Sequence, residues 1–285
     1  MATSTAHMQG KVCLVTGATS GIGVVTAHAL AQQGATVVVV ARHAERGTAT
    51  VRRLMQETGN PHVELLLADL SVQAQVRQLA ADFQRRFDRL DVLLNNAGAL
   101  FTKRLLSADG LEMTLALNHL GYFLLTRLLL DTLKANASAR IINVASDAHH
   151  GGQINFADLQ GEHRFGGWRA YCQSKLANLL FTYELARRLD GTSITANAVH
   201  PGFVATGFGR NNYGLFALFI RLAQLTALSP EQGAETLIYL ASSSDVEGVT
   251  GKYFVKKHPV RSSKASYDQA VAQRLWQLSE QLTGG

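Results

Sequence analysis

A glycine-rich segment between two apolar runs constrains the fold of this chain more than any other feature. Residues 17–23 read Gly-Ala-Thr-Ser-Gly-Ile-Gly and follow the apolar run at residues 11–16. A helical pattern comes next, and a second apolar run follows at residues 35–41. This order of strand, turn, helix and strand predicts a βαβ unit. Glycine lets the backbone approach a phosphate closely, and the helix N-terminus offers N–H groups to a pyrophosphate. The segment therefore predicts a dinucleotide site.

The same alternation of strands and helices continues along the chain. Further strands are predicted at residues 63–68, 91–94, 140–145, 194–199 and 252–255, with helices that include residues 43–59, 109–135, 230–242 and 264–282. Apolar strands that alternate with helices form a parallel sheet covered on both faces. We predict an α/β fold with a doubly wound parallel sheet of the Rossmann type and about seven strands. Residues 10–285 form its single domain, and residues 1–9 form a flexible N-terminal tail.

Composition and charge exclude some classes of protein. Hydrophobic residues make up 47% and charged residues 17% of the chain, which is typical of a globular protein. The net charge is +6, but the basic residues are spread along the chain. Their largest cluster, at residues 256–264, lacks the interleaved aromatic residues of a single-strand binder. We therefore predict no nucleic-acid partner, whereas the surplus of positive charge favours a phosphate-bearing cofactor.

Cysteine usage and hydropathy bear on location. Cys13 and Cys172 show neither metal-ligand spacing nor a disulfide framework, which favours a reducing compartment. A membrane span needs about 18 or more apolar residues. The nearest run, residues 113–126, is interrupted by Asn118 and His119. We predict a cytoplasmic protein without a transmembrane segment.

Tyr171 and Lys175 lie four residues apart in a helical pattern, so their side chains point to the same side. An ammonium group beside a phenol favours the phenolate, which is expected to lower the pKa of Tyr171 from about 10. Such a tyrosine can donate and accept a proton near neutral pH. Taken alone, the pair also occurs by chance on solvated helices.

The end of the second strand bears on the choice of cofactor. Enzymes that use NAD usually place an Asp or Glu here, where it bonds the ribose 2′-hydroxyl. This chain has Ala41-Arg42-His43 instead, and a guanidinium suits a phosphate. We predict that NADP(H) is preferred over NAD(H), with Arg42 as the first candidate and Arg46 as the second. The alternative is that Arg42 is merely exposed.

Several motifs resemble the short-chain dehydrogenase/reductase family. They are Thr-Gly-x-x-x-Gly-Ile-Gly at residues 16–23, Asn-Asn-Ala-Gly at 95–98, Tyr-x-x-x-Lys at 171–175 and Pro-Gly-x-Val-x-Thr at 201–206. Within the family, the retinol dehydrogenase branch resembles this chain at residues 118–121, 170–178 and 251–254. The spacing of 25 residues between Ser146 and Tyr171 also resembles that branch.

The resemblance implies hydride transfer between a nicotinamide and a carbonyl or alcohol carbon. The catalytic residues that it implies are Asn118, Ser146, Tyr171 and Lys175. The cofactor-binding residues are Gly17, Thr19, Ser20, Gly21, Ile22, Gly23, Arg42, Asp69, Leu70, Asn95, Ala97, Gly98, Tyr171, Lys175, Pro201, Gly202, Val204 and Thr206. Tyr171 would exchange the proton, and Ser146 would donate to the carbonyl oxygen. Lys175 would lower the Tyr171 pKa and bond the nicotinamide ribose, and Asn118 would link to Lys175 through water.

Residues 203–229 occupy the position of the family's substrate lid and are rich in aromatic and aliphatic side chains. An apolar lid implies a small apolar aldehyde, ketone, retinoid- or steroid-like substrate. The same segment could instead pack on the domain, form an oligomer contact or touch a membrane surface. Members of the retinol dehydrogenase branch commonly carry an N-terminal hydrophobic anchor. This chain shows none, which favours a soluble reductase. A homodimer is suggested by the all-round apolar helix at residues 109–135.

The leading interpretation is an NADP-dependent carbonyl reductase or alcohol dehydrogenase. A light-dependent protochlorophyllide-type reductase and a non-catalytic NADP-binding regulatory protein are the alternatives. The intact set of catalytic residues argues against the regulatory protein. His149 and His150 are adjacent, with no third ligand spaced nearby, so a structural or substrate-loop role is favoured over metal binding. We predict no metal site.

Overall fold

The computed structural model describes residues 7–136, 138–204 and 228–284 of the chain. Its strands are β1 (Val12–Thr16), β2 (Thr36–Ala41), β3 (Val63–Leu67), β4 (Val92–Asn95), β5 (Ala139–Val144), β6 (Ile194–His200), β7 (Tyr253–Val255) and β8 (His258–Val260). Within the described residues they form one sheet in the order β3-β2-β1-β4-β5-β6-β7-β8. Neighbouring strands from β3 to β7 are parallel. The predicted fold, a doubly wound parallel sheet of the Rossmann type, is confirmed.

Helices connect the strands and cover the sheet. They are α1 (Gly21–Gln32), α2 (Ala44–Thr58), α3 (Gln73–Arg86), α4 (Met113–Leu115), α5 (Gly121–Leu128), α6 (Leu130–Lys134), α7 (Gly167–Arg188), α8 (Pro230–Ser242) and α9 (Gln269–Leu282). Short 3₁₀ segments occupy Asp147–Gly151, Ser244–Val246 and Lys264–Tyr267, and a π-helical turn occupies Ala116–Leu120. Among the helices of the described residues, none is both long enough and apolar enough to cross a membrane.

Alternate residues of β1 face opposite sides of the sheet, and each side has its own buried core. Val12 and Leu14 pack with side chains of α3 and α5, whereas Cys13 and Val15 pack with side chains of α1 and α8. Parallel strands are buried on both faces, which is why they appear in the sequence as unbroken apolar runs. The order of the strands reverses between β1 and β4, and ligands of such sheets bind at the strand ends beside this point.

The described residues form eight strands, whereas the sequence predicts about seven. β8 pairs antiparallel with β7 through a turn at Lys256 and Lys257, whose φ angles are +49° and +66°. Two consecutive positive φ angles are typical of a tight hairpin, but its usual sequence is Asn-Gly or Asp-Gly. Contacts with α8 hold this turn instead. The Lys257 N–H donates to Thr236 Oγ1 at 3.1 Å, and Lys257 Nζ lies 2.9 Å from a Glu235 carboxylate oxygen.

The segment predicted as one helix over residues 109–135 is divided into shorter pieces. The first piece, α4, begins after Glu112, whose carboxylate accepts two backbone N–H groups at 2.8 Å each. A side chain that caps the first N–H groups favours a helix start at that position. The π-helical turn at Ala116–Leu120 follows, and a further break occurs at Leu129. π-helical turns are rare and frequently lie at functional sites, and the turn at Ala116–Leu120 carries Asn118.

Both ends of the described chain differ from the predicted bounds. The sequence predicts a last helix over residues 264–282, but α9 begins only after Asp268, whose side chain accepts the Val271 N–H at 3.0 Å. Near the other end, Met8 is buried and its N–H donates to the Gln33 carbonyl at 3.1 Å. The buried part of the chain therefore already includes Met8, which lies inside the segment predicted as a flexible tail. Most of the predicted lid, residues 205–227, lies outside the described residues.

Candidate active site

The C-terminal ends of strands β1 to β6 enclose a cleft of about 870 Å³. The predicted site residues that line it are Gly17, Thr19, Ser20, Gly21, Ile22, Arg42, Asp69, Leu70, Ala97, Gly98, Ser146, Tyr171, Lys175, Pro201, Gly202 and Val204. Parallel strands that end at one edge of the sheet bring these residues together from distant parts of the sequence. Thr206 lies outside the described residues.

The glycine turn after β1 has the shape that a dinucleotide requires. Gly17 and Gly21 have φ angles of +66° and +56°, which favour glycine. Gly23 is needed for close packing, because a Cβ there would collide with the Gly17 carbonyl oxygen and lie 2.5 Å from Asn96 Nδ2. In the described chain, the side chain of Ser20 caps none of the N–H groups at the start of α1. Those N–H groups can therefore bind a pyrophosphate, and the turn fits the cofactor.

A hydrogen-bond network joins this turn to the end of β4. Thr16 Oγ1 donates to Leu94 O at 3.1 Å and accepts the N–H groups of Asn96 and Ala97 at 2.8 and 3.1 Å. Asn96 Nδ2 donates to Thr16 O at 2.8 Å and to Gly17 O at 3.3 Å. Because these bonds connect neighbouring parallel strands, they hold the turn in a single shape.

We expect Gly23→Ala to weaken both the fold and the cofactor site. The added methyl group would meet the Gly17 carbonyl and the Asn96 amide, which the network holds in place. Overpacking of this kind destabilises a protein by about 1–3 kcal/mol. We expect a lower Tm in thermal unfolding and weaker NADPH binding in a fluorescence titration. Gly166→Ala is the matched control, since its Cβ would meet nothing nearer than 3.8 Å among the described residues. Equal effects of the two substitutions would contradict this prediction.

The structure places Asn95 behind the cleft, although the Asn-Asn-Ala-Gly motif predicts that it binds the cofactor. The Asn95 side chain is fully buried, and its Nδ2 donates to Asn143 Oδ1 at 2.8 Å and to Thr126 Oγ1 at 3.0 Å. Asn96 lines the cleft in its place. β4 ends at Asn95, so Asn96 belongs to the loop after the strand, where its side chain bonds the carbonyl groups of Thr16 and Gly17. Gly23 also lies behind the lining residues, where it packs against the turn.

Arg42 and Arg46 line the end of the cleft beside β2. The Arg42 side chain is 59% exposed, and its Nη1 lies 3.7 Å from Asp69 Oδ2. Its Nε donates to His43 Nε2 at 3.2 Å. An exposed ion pair of this length contributes little to stability, so the guanidinium is available to a ligand. Arg42 is exposed and also borders the cleft, so its binding of a phosphate and the alternative of a merely exposed arginine both stay predictions.

Tyr171 and Lys175 lie one turn apart on α7, and both border the opposite end of the cleft. Only 8% and 3% of their surfaces are exposed. Lys175 Nζ lies 5.6 Å from the centre of the Tyr171 ring and donates to Val144 O at 3.0 Å. The Ser146 side chain, just after β5, hydrogen-bonds that of Tyr171 and accepts the Ala148 N–H at 3.2 Å. A phenol, a hydroxyl and an amine therefore meet at one place.

Burial sets the pKa of both ionisable groups and reverses the direction predicted for Tyr171. Removal from water raises the pKa of the Tyr171 phenol above its usual value, and the hydrogen bond with Ser146 offsets this only in part. Burial lowers the pKa of Lys175 to about 7. A site of low dielectric constant disfavours both charged forms, and burial is the largest cause of both shifts. Tyr171 is therefore a neutral phenol, which is the form that can give up a proton.

Asn118 is fully buried beside the cleft and does not line it. Its Oδ1 accepts the Ala99 N–H and its Nδ2 donates to Ala99 O, both at 2.9 Å. The same Nδ2 donates to Ser174 Oγ on α7 at 3.0 Å. A Cβ on Gly98 would lie 3.2 Å from Asn118 Oδ1 and 3.6 Å from Lys175 Nζ, so both groups border this glycine. The Asn118 side chain thus joins the loop after β4 to α7. Its water-bridged link to Lys175 stays a prediction.

Comparison with known proteins identifies the family. Residues 11–213 match the short chain dehydrogenase family. The chain belongs to this family. Retinol dehydrogenase 11 of Homo sapiens is 42% identical over 288 residues, which cover 99% of this chain and 88% of that protein. This short chain dehydrogenase is therefore retinol dehydrogenase-like, as the sequence motifs predict.

Solved structures share the fold of this short chain dehydrogenase. An uncharacterized protein from Mycobacterium Paratuberculosis has a TM-score of 0.79 and 36% identity, and the match covers 97% of this chain and 94% of that one. The Pseudomonas aeruginosa RhlG/NADP complex has a TM-score of 0.70 and 30% identity, over 88% of this chain and 96% of that one. As a member of the family, the protein is an oxidoreductase whose fold binds a nicotinamide cofactor.

Trp168 and His200 line the cleft of this dehydrogenase, although the sequence motifs do not assign them to it. Trp168 stacks on Tyr171, with ring centres 5.7 Å apart and an angle of 29° between the rings. The only signal for it is its place one turn before Tyr171 in the helical pattern. His200 lines the cleft, its Nδ1 accepts the Asp147 N–H at 3.2 Å, and burial lowers its pKa. Its position directly before the Pro-Gly motif could have indicated this placement.

His149 and His150 lie closer to a third metal-ligand group than the sequence predicts. Together with Asp147, they have ligand atoms within 4.8 Å of one another. The His149 ring, however, already uses both nitrogens: Nδ1 donates to Ser146 O at 2.6 Å and Nε2 accepts the Ser263 N–H at 3.0 Å. A carbonyl only accepts and a peptide N–H only donates, so these partners determine the tautomer. Burial lowers the His149 pKa, which keeps the ring neutral. These bonds favour a structural role, which stays a prediction.

Proposed function

We propose that this protein is an NADP(H)-dependent carbonyl reductase or alcohol dehydrogenase for small apolar substrates. One observation carries the proposal: Tyr171, Ser146 and Lys175 meet at one end of a cleft whose other end is lined by Arg42 and Arg46. A proton-exchanging group and a phosphate-binding group at the two ends of one cleft suit a dinucleotide-dependent oxidoreductase. The substrate class comprises aldehydes and ketones, including retinoid- and steroid-like molecules, and the corresponding alcohols.

Side chains of this protein would exchange the proton of the reaction and orient the oxygen atom that receives it. When bound, the nicotinamide supplies the hydride in reduction and accepts it in oxidation. Tyr171 is a buried phenol that gives its proton to the carbonyl oxygen, and in the reverse direction it accepts the proton of the alcohol. Ser146 donates a hydrogen bond to the same oxygen and stabilises the charge that develops there. Lys175, when protonated, favours the phenolate that remains after the proton has left.

The preference for NADP(H) follows from the charges beside β2. Neither Ala41 nor Arg42 provides the carboxylate that holds a ribose 2′-hydroxyl in NAD enzymes. Arg42 and Arg46 present guanidinium groups, which suit a 2′-phosphate. The carboxylate of Asp69 is nearby, but its Oδ1 already accepts two hydrogen bonds from Ser71, at 2.9 and 2.6 Å. The related RhlG protein was solved with NADP, which supports the same choice here.

Apolar residues around the catalytic end support an apolar substrate. The cleft is lined there by Phe101, Leu117, Trp168 and Phe203. Trp168 and Phe203 are large side chains that are 55% and 44% exposed, so they offer contact area to a ligand. Ligand sites are lined mainly by apolar and aromatic side chains, with a few polar groups that orient the ligand. The name of the human relative, retinol dehydrogenase 11, is consistent with a substrate of this kind.

A substrate panel run with both cofactors tests the proposal. The purified protein is mixed with NADPH or NADH and with aldehydes and ketones of increasing apolar size, in the dark, and cofactor oxidation is followed by absorbance. We expect oxidation of NADPH to be faster than that of NADH, and turnover to rise with apolar size. Binding of NADPH without turnover of any compound would favour the regulatory alternative. Turnover that requires light and a chlorophyll precursor would favour the light-dependent one.

Three further expectations from the sequence stay proposals. They are a cytoplasmic location, a homodimer and contact of residues 203–229 with a membrane surface. Light scattering of the purified protein would test the homodimer, and sedimentation with lipid vesicles would test the membrane contact.

A further inference from the structure

His200 is the last residue of β6, and its ring lies on the side of the sheet that α7 covers. Ala198, two residues earlier, packs in one apolar cluster with Leu179 of α7. Side chains two residues apart in a strand point to the same face, so the His200 ring also points toward α7. The charge of Lys175, on the same helix, lowers the pKa of the ring. His200 therefore lines the cleft at the end where Tyr171 and Lys175 lie.

A hydrogen bond from the backbone determines which nitrogen of the His200 ring carries a proton. Nδ1 accepts the Asp147 N–H at 3.2 Å. A peptide N–H only donates, so Nδ1 has no proton of its own. Burial is the largest cause of the lowered pKa of His200, which keeps the ring neutral at pH 7. A neutral imidazole has one N–H group, and here that group is at Nε2.

The Nε2–H group of His200 is available to a ligand in the cleft. Among the residues that the structure describes, none hydrogen-bonds Nε2, and Nε2 is not one of their fully buried polar atoms without a partner. The pairing of His200 with Val255 of β7 and the bond from Asp147 hold the residue on two sides. Ligand sites use a few such fixed polar groups to orient the ligand.

The oxygen atoms that a ligand can offer at this end of the cleft favour the cofactor as the acceptor. Under the proposed function, the single oxygen of an apolar aldehyde or ketone is already bonded by Tyr171 and Ser146. The nicotinamide half of the cofactor carries carboxamide, ribose and pyrophosphate oxygens, and all of them can accept a hydrogen bond. Pro201 and Gly202, which follow His200, line the same cleft. A donor at His200 therefore has more acceptors on the cofactor than on the substrate.

We propose that His200 is a cofactor-binding residue whose Nε2–H donates a hydrogen bond to an oxygen of the nicotinamide half of NADP(H). Its Nδ1 at the same time holds the Asp147 peptide N–H, directly after Ser146. The proposal rests on the proposed function for the identity of the cofactor, whereas the tautomer of the ring follows from the contacts of the protein alone.

A matched pair of substitutions separates the two nitrogens of the ring. His200→Asn places an amide near the position of Nδ1, where its oxygen still accepts the Asp147 N–H, but it lacks the donor at Nε2. His200→Gln places an amide N–H near the position of Nε2 and keeps that donor. The dissociation constant of NADPH is measured by fluorescence titration. We expect it to rise about fivefold to tenfold in His200→Asn, the effect of one lost hydrogen bond, and to stay within about twofold of wild type in His200→Gln.

A fragment of the cofactor shows which half the donor contacts. Adenosine 2′,5′-bisphosphate keeps the 2′-phosphate and lacks the nicotinamide half, so we expect equal affinity for it in the wild type and both variants. Weaker binding of this fragment together with NADPH in His200→Asn would mean that the whole cleft has changed shape, and would overturn the proposal. His150→Asn is the control. His150 is an exposed histidine 3.8 Å from the Asp147 carboxylate and does not line the cleft, so this variant should bind NADPH as the wild type does.

An unchanged affinity for NADPH in His200→Asn would also overturn the proposal. If the KM for the carbonyl compound rises in that case, the donor serves the substrate instead. Should His200→Asn fail to fold, His200→Phe takes its place, since it keeps a ring without either nitrogen and should weaken NADPH binding at least as much. If the wild-type protein binds NADH more tightly than NADPH, the proposed cofactor preference fails, and the same comparison with NADH and AMP still decides the role of His200.

Discussion

Replacing Tyr171 with phenylalanine is expected to lower kcat by about a thousandfold, because a positioned proton donor contributes a factor of this order. The substitution removes one hydroxyl group and keeps the ring on which Trp168 stacks and beside which Lys175 Nζ lies. The shape of the cleft should therefore persist, and NADPH should bind as in the wild-type protein. Single-turnover loss of NADPH absorbance measures the chemical step, and a fluorescence titration measures binding.

Tyr183→Phe makes the same chemical change on the same helix, outside the cleft, and serves as the control for the Tyr171 variant. It should keep the wild-type kcat. A Tyr171→Phe protein that retained a large part of its turnover would show that another group exchanges the proton. If both NADPH binding and turnover are lost, the Tyr171 hydroxyl instead holds the shape of the site.

Arg42→Asp is expected to raise the KM for NADPH by about tenfold to a hundredfold and to change that for NADH much less, because hydrogen bonds to a charged group contribute about 1.5–3 kcal/mol. The substitution removes a guanidinium from the end of β2 and places a carboxylate beside Asp69, which already carries negative charge. Both changes weaken the binding of a 2′-phosphate. Arg46 remains at the cleft and limits the effect. Initial rates at varied concentrations of each cofactor measure both constants.

Arg53→Asp is the matched control for Arg42→Asp. Arg53 is exposed on α2, lies outside the cleft lining and undergoes the same change of charge. We expect no selective change of the KM for NADPH in this variant. An equal rise of the KM for NADPH and the KM for NADH after Arg42→Asp would contradict the proposed preference for NADP(H). A similar loss in the Arg53 variant would assign the effect to the overall charge of the protein.

Local patterns were sufficient for the parts of the fold that depend on neighbours in the sequence. The glycine turn and the apolar strands around it predicted β1, α1 and β2. The spacing of Tyr171 and Lys175 predicted that both side chains share one face of α7, and both border the cleft. In each case the geometry of a turn, strand or helix determines which side chains lie together.

Features that depend on distant contacts could not be predicted in this way. The hairpin at Lys256 and Lys257 has no turn signature, because contacts with α8 stabilise its positive φ angles. Of the two asparagines in the Asn-Asn-Ala-Gly motif, the sequence does not show which faces the cleft. Bonds to Asn143 in β5 and Thr126 in α5 hold Asn95 behind the cleft, whereas Asn96, just past the end of β4, lines it.

The sequence by itself determined the family, the doubly wound sheet and most of the predicted residues that meet at its edge. These follow from periodicity and from motifs, which are properties of short segments. The tertiary structure decided the electrostatics of the site. Spacing predicted that Lys175 would lower the pKa of Tyr171, but burial raises the Tyr171 pKa and lowers that of Lys175 to about 7. The free energy of a charge depends on everything packed around it, and only the folded chain specifies those neighbours.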